Sequence, residues 1–197
     1  MVVKYNSNGL IIWQRVIGID SLYLIETAHS IAVDNMGNVY ATGYMHHLPR
    51  TGYDYLTVKY DSAGVLQWMK FYGEEYLQDD YAMSIAVDNS GNVYVTGMSM
   101  GNGTDFDYAT IKYNSEGVQQ WVARYNGTGN DWDVPTSLVV DNSGNVFVTG
   151  SSQSSNAIGS EDYLTIKYSA NGNEEWTIRH NGPSSYSDFA TSMAIDE

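Results

Sequence analysis

The chain has 197 residues, no cysteine, nine Lys and Arg against 23 Asp and Glu, and a formal net charge of −14. No disulfide framework or cysteine-based metal site can form, and so few basic residues cannot neutralise a run of phosphates, which argues against a nucleic-acid partner. No apolar run is long enough for membrane insertion, and the acidic balance favours basic partners or divalent cations, calcium being the one cofactor left open.

Residues 1–17 open with Lys4 and Tyr5, a turn at Asn6 to Gly9 and then Trp13. The same beat returns at Lys59, Tyr60 and Trp68, at Lys112, Tyr113 and Trp121, and at Lys167, Tyr168 and Trp176. Between these stretches lies a second recurring segment, SIAVDNMGNVYATG from Ser30, SIAVDNSGNVYVTG from Ser84 and SLVVDNSGNVFVTG from Ser137. It begins again as SMAIDE at Ser192, so the starts lie 54, 53 and 55 residues apart. A fixed period near fifty residues marks a repeat architecture in which each unit buries its faces only by stacking on its neighbours.

Each unit reads as two hairpins. In the second, Ser84 to Asp88 and Asn92 to Gly97 flank Asn89, Ser90 and Gly91, and Asp107 to Tyr113 and Val118 to Tyr125 flank Asn114 to Gly117. β-branched and aromatic runs with period two, bounded by Asn, Asp, Ser and Gly, predict strands, and no helical stripe competes. Four antiparallel strands per repeat predict an all-β fold, a β-propeller of blades about 54 residues long. The chain divides into a partial blade at 1–17, full blades at 26–72, 80–125 and 133–180, and the first strand of another at 188–197. This predicts fifteen strands, a partial propeller, and self-association through the incomplete terminal blades. The repeated Trp68, Trp121 and Trp176 are expected to be buried wedges between blades, with small Ala32, Ala86, Val139 and Ala194 near the axis.

The segments VDNSGNVYVTG and DYATIKYNSEGVQQW, with the looser DYLTVKYDSAGVLQW and DYLTIKYSANGNEEW, resemble the SBBP, or β-propeller repeat, family of large bacterial and archaeal extracellular proteins. The resemblance covers essentially the whole chain. It implies a multi-bladed propeller in a secreted or cell-surface setting, and it carries no catalytic motif.

The turns inside each hairpin are nearly identical between units, whereas the connections between second and third strands, and between one blade and the next, differ in every unit. Strand alternation puts both variable classes on one face, the candidate binding surface for a protein or glycan ligand. On it, Glu26, Asp80, Asp133 and Asp188 each stand four residues before the repeated Ser. They form either an acidic arc open to a cation or loop-ordering hydrogen-bond acceptors. Tyr23, Tyr76, Trp132 and Tyr186 lie in the adjoining loops at no fixed offset, as stacking platforms rather than packing residues. The turn Asp88 to Asn92 lacks the distal acid of a calcium loop and reads as turn chemistry, with Gly37, Gly91 and Gly144 at positive φ. His29, His46, His47 and His180 share no ligand spacing. The leading expectation is thus a non-catalytic binding module, with a carbohydrate-active hydrolase or lyase and a structural spacer as alternatives.

Overall fold

The computed structural model describes residues 1–17, 26–46, 52–73, 78–154, 161–183 and 186–196. Strands β1 (Val2–Tyr5) and β2 (Ile11–Arg15) form a two-stranded sheet. Three four-stranded antiparallel sheets follow in sequential order. The first is β3 (Glu26–Val33), β4 (Val39–Met45), β5 (Asp54–Tyr60) and β6 (Leu66–Tyr72). The second is β7 (Asp80–Val87), β8 (Val93–Met100), β9 (Phe106–Tyr113) and β10 (Gln119–Tyr125). The third is β11 (Asp133–Val140), β12 (Val146–Gln153), β13 (Glu161–Tyr168) and β14 (Glu174–His180). No helix occurs among the described residues, so none could cross a membrane. The fold is an all-β propeller with three full blades.

The tight turns follow from their residues. Asp88 Oδ1 accepts the backbone N–H groups of Ser90 and Asn92, while Oδ2 accepts Asn92 Nδ2 and the Tyr94 hydroxyl. Gly37, Gly91 and Gly144 sit at φ of 78°, 77° and 80°, a conformation that costs a Cβ-bearing residue energy. Each carboxylate oxygen thus accepts two donors of its own turn.

Three apolar clusters coincide with the three junctions between sheets. Val2 and Trp13 pack with Val39, Leu56 and Val58, and Tyr40 and Tyr55 pack with Ile85, Val95 and Ile111. Tyr94 and Tyr108 pack with Leu138, Val148 and Ile166. Inside each blade the middle strands are tied by a hydroxyl pair, Thr42 with Thr57 and Thr96 with Thr110, both buried, and Thr149 with Thr165, partly buried, at 3.2, 3.0 and 3.1 Å. The innermost strands are linked as well, since Ser30 Oγ accepts Ile85 N–H and Ser84 Oγ accepts Leu138 N–H, both at 3.3 Å.

The Trp residues act as wedges in a defined way. Trp13, Trp68 and Trp121 donate their indole N–H to Ser62, Ser115 and Ala170 carbonyls of the following blade, at 3.2, 3.1 and 3.1 Å. The Lys one strand away reaches the same carbonyl, from Lys4, Lys59 and Lys112. The expectation of burial holds only in part: Trp68 and Trp121 are half-buried, and Trp176 is 37% exposed, with no following blade packed on it among the described residues. Residues 188–196, expected as the first strand of a further blade, form no strand and pair with none among the described residues. They still follow β11, where Thr136 Oγ1 donates to the Ala190 carbonyl at 2.9 Å and Ala190 is buried.

Candidate functional site

The innermost strands run further toward the variable face than the repeated Ser suggests. A register shift between Ala28 and Ser30, Ala82 and Ser84, and Pro135 and Ser137 absorbs one extra residue, after which the ladder continues to Glu26, Asp80 and Asp133. The bulge presses the carbonyls of Thr27, Tyr81 and Val134 against Gly43, Gly97 and Gly150, where a Cβ would overlap them. The invariant Gly after the Thr is therefore required by the bulge. It also makes Glu26, Asp80 and Asp133 strand residues rather than loop residues.

That placement decides what these acids do. Asp80 and Asp133 are 1% and 0% exposed. Asp133 Oδ2 accepts the Gly127 N–H at 2.5 Å and Asp188 Oδ2 accepts the Gly182 N–H at 2.7 Å, so each closes the loop leading into it. Burial pushes the Asp133 carboxyl up to about 6, with the Asp107 charge adding to it, against hydrogen bonds from Ser152 and Gly127 and the charge of Arg179. Among the described residues no group of three His, Asp or Glu side chains is arranged to hold a metal ion. No open acidic arc is formed by Asp80 and Asp133, which lie beneath the surface.

Below the same face, two blades carry an ionic knot of a partly buried Arg and a buried Asp. Arg124 pairs with Asp107 at 3.1 Å and donates to Ser99 Oγ at 2.6 Å and to the Ser99 carbonyl at 2.8 Å. Arg179 repeats this with Asp162 at 3.1 Å, the Ser152 carbonyl at 2.6 Å and Ser152 Oγ at 2.7 Å. In the first full blade the ladder registers place Met45 where Ser99 stands and Phe71 where Arg124 stands. The Ser and Arg positions are there apolar as a pair, while the acid position is kept as the buried Asp54.

Above this floor lies a feature that sequence reasoning missed, a continuous strip of aromatic rings crossing all three blades. His29 stacks with Tyr44 at 5.3 Å, and Tyr44 meets Tyr53 edge-on at 5.1 Å and Tyr81 edge-on at 4.7 Å. His46 packs on Tyr53 at 4.0 Å. The strip continues from Tyr81 to Phe106 at 5.7 Å and from Phe106 to Trp132 at 5.3 Å, edge-on. Its local anchor is Asp79, whose Oδ1 accepts the Tyr53 N–H and whose Oδ2 accepts the Tyr81 hydroxyl. Burial, together with the hydrogen bond and charge of Asp79, raises the Tyr81 phenol well above its ordinary range, so it stays a neutral donor.

Of the aromatic residues expected on this face, Trp132 is 49% exposed and ends the strip. It borders a groove of about 410 Å3 shared with Asp131, Gln153, Glu161 and Phe189. Phe189 is 62% exposed, and Glu161 also accepts the Ser187 hydroxyl. Tyr186 is 78% exposed and has no ring neighbour among the described residues. Tyr23 and Tyr76 lie outside the described residues, and Glu26 is placed only as the first residue of β3. The strip draws on rings from non-equivalent repeat positions, His29 and Tyr81 on innermost strands, Tyr44 on β4, Tyr53 and Phe106 before the buried Asp. The available signal was the concentration of rings at the variable ends of strands.

The SBBP β-propeller repeat family model matches residues 67–107 and 120–156. These matched units cross blade boundaries, running from the outer strand of one blade into the inner strands of the next. No curated protein matches the chain. Among solved structures, one described as a crystal structure of the eukaryotic initiation factor aligns with a TM-score of 0.49 and 7% identity over 83% of this chain and 33% of that one. The chain thus spans about a third of that structure's length. The chain is built from four-stranded blades with Trp wedges between them, and its segments 67–107 and 120–156 are similar to the SBBP β-propeller repeat.

Proposed function

We propose that this chain is a non-catalytic binding module of a secreted or cell-surface protein, and that it engages a protein or glycan ligand through its variable loop face. The observation that carries the reading is the aromatic strip from His29 to Trp132, flanked by Asp79, Asp131, Gln153 and Glu161. Ring faces stack on the apolar side of a sugar, and carboxylates and amides take its hydroxyl groups, so the composition favours a glycan. A rigid floor supports it, since the Arg124 and Arg179 knots tie strand ends together directly below. Asp133, whose carboxyl burial raises to about 6, is sealed from solvent and beyond reach of a substrate, which speaks against an acid or base role for it on this face.

The test is a glycan and protein array probed with the wild-type chain, followed by titration of each hit against Trp132→Ala. Loss of an exposed aromatic anchor should weaken binding at least tenfold, about 2 kcal/mol, while leaving the melting transition in place. An array without hits, or a Trp132→Ala chain that binds as wild type does, would remove the basis for this reading.

A further inference from the structure

Five Asn-Gly pairs stand in this chain: Asn8 with Gly9, Asn102 with Gly103, Asn126 with Gly127, Asn171 with Gly172 and Asn181 with Gly182. Such a pair can close on itself. The glycine's backbone nitrogen attacks the carbonyl carbon of the asparagine side chain, and the glycine has no Cβ to shield that approach. Closure requires the glycine N–H to give up its proton and the backbone between the two residues to turn. A hydrogen bond that holds the N–H opposes both.

In four of the five pairs the N–H is held. Gly9 donates to the Asn6 carbonyl at 3.0 Å and Gly172 to the Ser169 carbonyl at 2.8 Å, each inside a hairpin turn. Gly127 donates to Asp133 Oδ2 at 2.5 Å and Gly182 to Asp188 Oδ2 at 2.7 Å. The N–H of Gly103 meets no acceptor among the described residues. The loop that carries it is fixed at its base and free at its tip. The Gly101 N–H donates to the Asp105 carbonyl at 3.0 Å and Thr104 Oγ1 donates to Asp107 Oδ2 at 3.1 Å, with Gly101 buried. Asn102 and Gly103 are both exposed, Gly103 has φ of 87°, and no atom beyond its chain neighbours lies within 4 Å of where its Cβ would be. Open space alone does not single out this pair, since Gly9 is as open; the unheld N–H does.

We propose that Asn102 is a self-modification site, which deamidates in the folded chain ahead of the other four asparagines. The Gly103 nitrogen, its proton taken by hydroxide, bonds to Asn102 Cγ. The bond from Cγ to the side-chain nitrogen breaks, and that nitrogen takes a proton from water and leaves as ammonia. Water then opens the five-membered imide at one carbonyl or the other, giving aspartate or isoaspartate. Nothing is oxidised or reduced: asparagine and water become an acid and ammonia. The conversion adds a negative charge between β8 and β9, on the variable face just ahead of Phe106 of the aromatic strip. The isoaspartate form also lengthens the backbone there by a methylene. The site does not depend on what that face binds.

Peptide mapping of the 197-residue chain, held at mildly alkaline pH and sampled over weeks, is the test. Each Asn-Gly peptide is scored for the mass gain of about 1 Da that marks an amide turned to acid. In the folded chain Asn102 should convert at least about fivefold faster than each of the other four, the factor set by opening one ordinary protein hydrogen bond. In guanidinium, where no N–H is held, all five should convert at comparable rates. Asp188→Ala, checked for an unchanged circular dichroism spectrum, releases the Gly182 N–H and should speed conversion at Asn181 while leaving Asn102 as it was. A folded chain in which another pair keeps pace with Asn102 overturns the proposal. So does a lead for Asn102 that persists in guanidinium, which would place its cause in local sequence and not in the fold. An Asp188→Ala chain in which Asn181 converts as slowly as in wild type overturns it as well.

Discussion

The indole N–H of Trp121 donates to the carbonyl oxygen of Ala170 across a blade junction, 3.1 Å away, and Lys112 Nζ reaches the same oxygen at 3.2 Å. One backbone acceptor thus registers two blades through two donors. The ring also packs against Gly172, whose φ of 82° and lack of a Cβ let it approach. Trp121→Ala should therefore destabilise the chain by about 3–5 kcal/mol, through lost burial and the cavity left behind. Trp176→Ala, at an exposed copy of the same position, should cost no more than about 0.5 kcal/mol in dilute solution. Urea unfolding followed by circular dichroism measures both, and equal losses would show that the wedge does not act through the junction.

The Arg124 knot offers a test written into the repeats themselves. Arg124→Phe alone leaves Asp107 and Ser99 below the surface without the guanidinium that joins them, a change expected to cost about 3–5 kcal/mol. Adding Ser99→Met recreates the Met45 and Phe71 pairing of the first full blade, with Met45 fully buried there. The double variant should recover at least about 1 kcal/mol relative to the sum of the single losses, a coupling between neighbours that a double-mutant cycle isolates. Additive losses would mean that the two solutions are not interchangeable.

The repeat made most of the fold legible, and the same property hid the site. Period, strand order and turn chemistry at Asp88 and Gly91 could be read three times over, and the wedge position of Trp68 and Trp121 four times. The bulge after Ala82 left no local mark except the following strand's Gly97, and missing it put Asp80 and Asp133 just before the innermost strands instead of inside them. The aromatic strip was invisible for a different reason. Tyr44, Tyr81 and Trp132 sit at different repeat positions and become neighbours only when blades stack, a relation between units that no single period encodes. Trp176 shows the converse limit, since its sequence context matches Trp121 but its burial depends on what stands beside it.

Asp133 sets a pH dependence with a definite sign. Its folded-state pKa of about 6 lies above the ordinary 3.8, so between those values the folded chain holds a proton that the unfolded chain has released. The stability associated with this group is present at low pH and is lost as pH rises through the window. Asp133→Asn keeps an oxygen for the Gly127 N–H and removes the charge facing Asp107. It should stabilise the chain at neutral pH by about 1–3 kcal/mol and bring no gain near pH 4. Urea unfolding at both pH values checks this, and a gain of the same size at each would mean that charge is not the cause.

The third full blade lacks one hydrogen bond that the other two possess. Tyr40 and Tyr94 donate to Asp34 and Asp88 Oδ2 at 3.0 and 2.9 Å, whereas Phe147 stands at the corresponding place beside Asp141. The Asp141 turn is otherwise complete, with Oδ1 accepting the Ser143 and Asn145 N–H groups and Oδ2 accepting Asn145 Nδ2. Burial acts to raise the Asp141 carboxyl, but these hydrogen bonds and the nearby Lys167 outweigh it and hold the group below its ordinary value. Phe147→Tyr should add the missing donor without disturbing the ring that Lys167 and Trp176 use. The gain should be about 0.5–1.5 kcal/mol at neutral pH, the net worth of one hydrogen bond to a partly exposed acceptor. Because the new donor favours the ionised form, the gain should shrink as pH falls through the titration of Asp141, opposite in direction to the effect of Asp133. Unfolding of wild type and Phe147→Tyr at pH 7 and at strongly acidic pH distinguishes the two. A gain that survives acid would come from ring packing and not from the Asp141 carboxylate.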